Sequence, residues 1–242
     1  MIFKISHPNH RPHPGCFNKT YYSEQNLPSI GWFAPDNPDN LDITIMHFVD
    51  LDNKGQKLRF NSTKIDKYKK NAKSFFIVHG WQSGFSYESW LDSMKDTILK
   101  VNNDQANVFV IDWSKIAGSI LYPLSAANTK LVGRAVGYFI VNTLVKNYGL
   151  DCRNVHLLGH SLGGQTVGFI GKYTKTHNCF IQRITALDAA GPFFRTKDPN
   201  ERVTKDDAFF VEALHTNAAS IVLTGLGTMT PSGKTFALQP AA

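Results

Sequence analysis

Residues 154–173 read NVHLLGHSLGGQTVGFIGKY, an apolar run that halts at Ser161 between glycines and then resumes at helical spacing. Gly159, His160, Ser161, Leu162 and Gly163 fit the pattern Gly-x-Ser-x-Gly, directly after a strand-like run and directly before a helix-like one, which is the context of a nucleophile elbow. In such a turn the serine takes strained backbone angles. Its neighbours must then be small so that strand and helix can approach, and glycine meets that need on both sides. The strained turn lifts the hydroxyl clear of the sheet, while the helix N-terminus and the next backbone N–H face the charge that develops on an attacked carbonyl. The bland alternative is a glycine-rich strand-to-helix turn with an incidental serine.

Outward from this stretch, the chain alternates short apolar runs with longer segments of helical period from residue 43 onward. Strands are expected at 43–49, 75–79, 108–112, 155–159, 181–187 and 209–215. Between them, 86–101 opens with Ser86 as a capping residue and carries Trp90, Met94, Ile98 and Val101 at helical spacing. Residues 124–148 read as one long helix, with Gly149 as its stop. This is the pattern of an α/β fold, a mostly parallel sheet with helices on both faces. Residues 1–40, rich in Pro, Asn and His, read as an irregular N-terminal arm, and 41–242 as one domain. After His215 the text begins like another strand and then loses pattern among Gly, Thr and Pro, so the domain reads as incomplete at its C-terminal end.

Composition narrows the function classes. With 242 residues, 42% of them hydrophobic, the chain is long enough for a substantial core. No apolar stretch reaches the ~18 residues of a membrane helix; the longest, 132–145, is broken by Arg134 and Asn142. The first residues, MIFKISHPNHRPHPG, hold no apolar segment of signal-peptide length, whereas the sequons at Asn18 and Asn61 point to a secreted, extracellular protein. Three cysteines without zinc-like spacing argue against a metal site. Cys152 and Cys179 each precede an expected strand at the same end of the sheet, which fits either a bridge or two buried thiols, with Cys16 unpartnered. The net charge of +7 is densest at Lys64, Lys67, Lys69, Lys70 and Lys73, read as a solvated loop, with weak attraction to anionic lipid as the alternative. No RNA-reading aromatic signature lies nearby, so nucleic acid is not an expected partner. No cofactor is implied, and the oligomeric state leaves no trace in the sequence.

A serine hydroxyl needs a base to take its proton, a carboxylate to orient that base, and donors for the oxyanion. His79, Gly80 and Trp81 follow an early strand, where the loop offers a second oxyanion donor, and the Trp81 N–H is the candidate; the alternative is a core tryptophan after a turn. Asp188 ends the strand after the nucleophile strand, the correct edge of the sheet for the acid; the alternative is a capping aspartate.

With these residues in place the chain resembles the pancreatic lipase family, which includes triacylglycerol lipases and arthropod phospholipases A1. The resemblance rests on GCF at 15–17, IVHGW at 77–81, VIDW at 110–113, YPLSAANTKLVG at 122–133, NVHLLGHSLGG, ITALDAAGP at 184–192 and DDAFFVEALHT at 206–216. It implies an α/β-hydrolase fold, with Ser161 as nucleophile, Asp188 as triad acid, and the backbone N–H groups of Trp81 and Leu162 as the oxyanion hole. It also implies a lipid ester substrate met at a membrane or lipid-droplet surface. Ala189 stands where the family often has proline.

The family's histidine base comes downstream of the HT strand, in a Cys-x-His segment that follows DFYPNGG-like and QPGC stretches. Here TPSGKTF and QPAA occupy the corresponding places, and no histidine follows His215. His215 is the possible substitute base, in the triad order Ser161, Asp188, His215, although it aligns with a family position that is not the base. The expected activity is a lipase or phospholipase A1 impaired by the missing histidine. Its rivals are a non-catalytic lipid-binding homologue or inactive isoform, and an intracellular esterase that uses His215. The compact loop 193–207 resembles the phospholipase A1 members and points toward phospholipid.

Overall fold

The computed structural model describes residues 41–52, 54–85, 89–195, 198–216, 233 and 235–238. Within them runs an eight-stranded sheet: β1 (Thr44–Phe48), β2 (Gln56–Leu58), β3 (Lys73–Val78), β4 (Ala106–Asp112), β5 (Val155–His160), β6 (Arg183–Leu187), β7 (Phe210–His215) and β8 (Thr235–Leu238). Their spatial order is β2-β1-β4-β3-β5-β6-β7-β8. From β4 to β8 every pairing is parallel, while β1 and β2 join antiparallel at one edge. This order, with the serine turn directly after β5, is the α/β-hydrolase arrangement.

The six expected strands are all present, with ends shifted by one or two residues. They were legible because a parallel strand covered on both faces is apolar throughout: in β4, ANVFVID, every residue but Asp112 is buried. β2 and β8 were not anticipated. QKL is too short and too polar to register as a strand, and TFAL lies among Gly, Thr and Pro.

Helices α1 (Ser89–Val101), α2 (Ser114–Ala117), α3 (Tyr122–Phe139, continued by a wider turn at Ile140–Val145 and by Lys146–Tyr148) and α4 (Leu162–Thr176) cover the sheet. α1 buries Leu91, Ile98 and Leu99 against Met46, Phe48, Ile77, Val108 and Val110 on one face. On the other face α3 and α4 pack together, with Leu131, Val136, Phe139, Val167 and Ile170 against Phe76, Phe109, Leu157 and Ile184. The long helix starts at Tyr122 rather than 124 because Pro123 suits a first turn, and it ends where Gly149 takes a left-handed φ of 69°. The Ser86 cap, the 1–40 arm, Cys16 and residues 217–232 lie outside the described residues. No helix among the described residues is long and apolar enough to cross a membrane.

Two readings are sharpened. Cys152 and Cys179 are bridged, with Cα atoms 5.4 Å apart, at the end of the sheet away from Ser161. Lys69 departs from the solvated-loop reading: its ammonium donates to the carbonyls of Val49, at 2.7 Å, and Asp104, tying the loop before β3 to the sheet.

Candidate active site

Parallel register sets the site. Val78 pairs with Gly159, His160 with Leu187, and Leu187 with Leu214. The ladder continues one step further, since Ser161 N–H donates to Leu187 O at 3.0 Å and Asp188 N–H to Leu214 O at 2.7 Å. Gly80, Ser161, Asp188 and His215 therefore follow one another across the C-terminal edge of four neighbouring strands.

Ser161 has φ 55° and ψ −119°, a conformation that costs on the order of 1–3 kcal/mol and persists only where its surroundings enforce it. Close packing enforces it here. A Cβ on Gly159 would stand 2.2 Å from Gly163 O, and one on Gly163 would stand 2.1 Å from Val78 O. The serine carbonyl is held by Gly164 N–H at 2.9 Å and Ala190 N–H at 3.0 Å. Leu162 is the first residue of α4, so its N–H has no intrahelical carbonyl to meet and stands at the positive end of the helix.

Across from the serine lies the loop after β3. A Cβ on Gly80 would come within 2.8 Å of Ser161 Cβ, so the two backbones touch. Trp81 anchors its indole by donating Nε1–H to Ser119 O at 2.7 Å and stands edge-on to Tyr122 at 5.2 Å. Gln82 N–H is bound to Ala117 O at 2.9 Å. The Tyr122 ring stacks on Phe193 at 5.9 Å and its hydroxyl reaches Pro192 O at 3.4 Å; burial, only partly opposed by Arg195, pushes that hydroxyl's pKa well up.

Asp188, with φ 45°, accepts hydrogen bonds from Thr216 N–H at 2.6 Å and from the Thr216 hydroxyl. His215 is 1% exposed, and neither ring nitrogen has a hydrogen-bond partner among the described residues. Burial lowers its pKa, and the nearby Asp188 charge acts the other way. Among the described residues no imidazole hydrogen-bonds Ser161 Oγ.

The sequence reading missed Gln165. In the first turn of α4 its amide donates to Ala190 O at 2.7 Å and accepts from Val203 N–H at 2.8 Å, fastening the acid loop and the 198–207 segment to the elbow helix. A long amide on the buried side of a helix otherwise filled by apolar, glycine and threonine residues was the available signal. An open pocket lined by Trp90, His160 and Leu187 lies on the α1 side, reached from the residues just before Ser161 and Asp188. Among the described residues no three His, Cys, Asp or Glu side chains cluster to hold a metal ion.

The family model Lipase matches residues 15–235. The chain is similar to lipoprotein lipase of Gallus gallus, 40% identical over 162 residues, covering 67% of this chain and 32% of that protein. It is likewise similar to lipoprotein lipase of Homo sapiens, 39% identical over 163 residues, covering 67% and 33%. It thus spans about a third of the length of these relatives. Among solved structures, acetyl xylan esterase 1 from Thermoanaerobacterium sp. JW/SL YS485 overlays with a TM-score of 0.44 at 13% identity, covering 74% of this chain and 71% of that one.

Proposed function

The chain belongs to the lipase family of the pancreatic type, and from that premise we propose that it is a carboxylic ester hydrolase that cleaves lipid esters through an acyl-serine on Ser161. The observation that carries this reading is the strained Ser161, packed on Gly80 and one register step from Asp188. Ser161 Oγ attacks the ester carbonyl, the N–H groups of Trp81 and Leu162 stabilise the oxyanion, and Asp188 orients the imidazole that takes the serine proton. The imidazolium gives that proton to the departing alcohol as the ester C–O bond breaks, and water then hydrolyses the acyl-enzyme, releasing the acid and regenerating Ser161.

The base is the part these residues fill least well. His215 adjoins Asp188, but its nitrogens are enclosed and Thr216 engages the carboxylate. Turnover by residues 1–242 is therefore impaired, leaving what the oxyanion hole and binding supply, about 10³–10⁴-fold over water in a serine hydrolase stripped of its triad. The substrate is a lipid at a membrane or droplet surface, with the compact segment after Phe193 favouring phospholipid, and the compartment is extracellular, as for a disulfide-bearing domain.

A second reading, a lipid-binding homologue without turnover, is favoured by the absence of an imidazole on Ser161 Oγ among the described residues. A fluorophosphonate probe separates the two. Labelling of Ser161, lost in Ser161→Ala, supports the esterase, whereas no labelling leaves the binding protein. If His215→Ala changes neither labelling nor turnover, His215 is not the base.

A further inference from the structure

His79 directly follows β3 with its side chain fully buried. Trp113 N–H points at His79 Nε2 from 3.1 Å, and a backbone N–H only donates, so Nε2 accepts and the ring proton sits on Nδ1. Nδ1 lies 2.9 Å from Gly80 O and donates to it. Trp113 also stacks on the ring at 5.6 Å and donates its indole N–H to His79 O at 2.9 Å, so the motifs IVHGW and VIDW interlock. The Asp112 carboxylate stands 3.4 Å from Nε2, on the side of the ring opposite the Gly80 contact.

A peptide group is planar, and when trans its carbonyl and N–H point in opposite directions. Fixing Gly80 O therefore fixes the direction of Trp81 N–H. The far side of the residue is fixed by the indole bond to Ser119 and by Gln82 N–H on Ala117 O. Trp81 N–H itself has no hydrogen-bond partner among the described residues, in a loop that touches Ser161 through Gly80. We infer that His79 is the positioning residue of the oxyanion loop: its ring holds the Gly80 carbonyl and so aims the Trp81 N–H at the carbonyl that Ser161 attacks. This rests on the reading of Ser161 as nucleophile.

A matched pair of variants in the 242-residue chain tests it. In His79→Asn the amide N–H takes the place of Nδ1–H and the bond to Gly80 survives; in His79→Gln the side chain reaches the Nε2 position and that bond is lost. Each leaves one buried partner unpaired, so the two should lose comparable Tm. Fluorophosphonate labelling should diverge: kinact within about fivefold of the parent for Asn and about 10–10²-fold lower for Gln, with KI little changed in both. Equal kinact losses that track Tm, or an undiminished Gln variant, overturn the assignment. In the unmodified chain, long-range ¹⁵N–¹H NMR should show His79 protonated at Nδ1, and a neutral ring protonated at Nε2 instead overturns it as well. If the parent does not label, the nucleophile reading falls, and the NMR measurement alone decides whether His79 holds Gly80.

Discussion

Gly80→Ala measures how closely the loop after β3 is set against the nucleophile. The added Cβ would stand 2.8 Å from Ser161 Cβ and 3.2 Å from both His160 O and Ser161 Oγ. Non-bonded carbons rest about 3.5–4.0 Å apart, so the two segments must separate by about 0.7–1.2 Å. Ser161 cannot give way easily, because its carbonyl is held by Gly164 and Ala190 and its turn is wedged by backbone contacts at Gly159 and Gly163. The loop moves instead, and a hydrogen bond of about 2.9 Å from Trp81 N–H stretches to about 3.6–4.1 Å, beyond useful length. Loss of one oxyanion donor costs about 10²–10³ in rate, or ~2.7–4 kcal/mol of transition-state stabilisation. Folding should change far less, because alanine gains about 0.4–1 kcal/mol through the unfolded chain against a local strain of about 1–3 kcal/mol. The assay is the fluorophosphonate rate constant beside a thermal melt, with an expected fall of about 100-fold in kinact and a Tm within a few degrees of the parent. A variant that labels within about threefold of the parent refutes the placement of this loop against Ser161.

Ser161→Gly should abolish labelling and raise stability by about 1 kcal/mol, because glycine accepts φ 55°, ψ −119° without steric cost; a destabilised variant contradicts the strain. Replacing both Cys152 and Cys179 by serine opens a loop of sequence separation 27 and should cost about 3.5 kcal/mol on the chain-entropy estimate, read as a lower stability extrapolated to water from urea unfolding, with m equal or larger because the opened unfolded chain is less compact; a loss under about 1 kcal/mol would contradict it. Burial, chiefly, holds both His47 and His156 down at about 4, from 6.5. The unfolded chain therefore binds more protons between pH 6.5 and 4, and stability falls on acidification through that window, by roughly 3 kcal/mol per histidine. Thermal melts from pH 7.5 to 4.5 should show that decline, and a flat Tm above pH 5 would exclude it.

What could be read in the sequence depended on whether the determining contacts are local. The strained serine turn was legible because such a serine must have glycine beside it within the same turn, and the place of Asp188 at its strand tip because that position is defined by its own strand. His79 and Gln165 were not. The partner that fixes the His79 ring is a backbone N–H 34 residues away, and Gln165 binds Ala190 and Val203 at separations of 25 and 38. Lys69 was misread for the same reason, since the carbonyls of Val49 and Asp104 that bind its ammonium come from elsewhere in the chain.

His215 shows how far chain order can lead. Parallel register places it one step beyond Leu214, beside Asp188, so order and topology agree on its neighbourhood. A base, however, must offer one nitrogen to the serine and the other to the carboxylate. Here Thr216 donates twice to Asp188, and both His215 nitrogens stay enclosed without a partner among the described residues. To serve as base, His215 would have to displace Thr216 and turn its outer nitrogen toward Ser161. Thr216→Val removes the hydroxyl donor while leaving the backbone bond. If His215 is the base, this variant should label Ser161 faster than the parent and the gain should vanish in Thr216→Val with His215→Ala. An equal labelling rate in all these chains assigns His215 to the packing behind the acid.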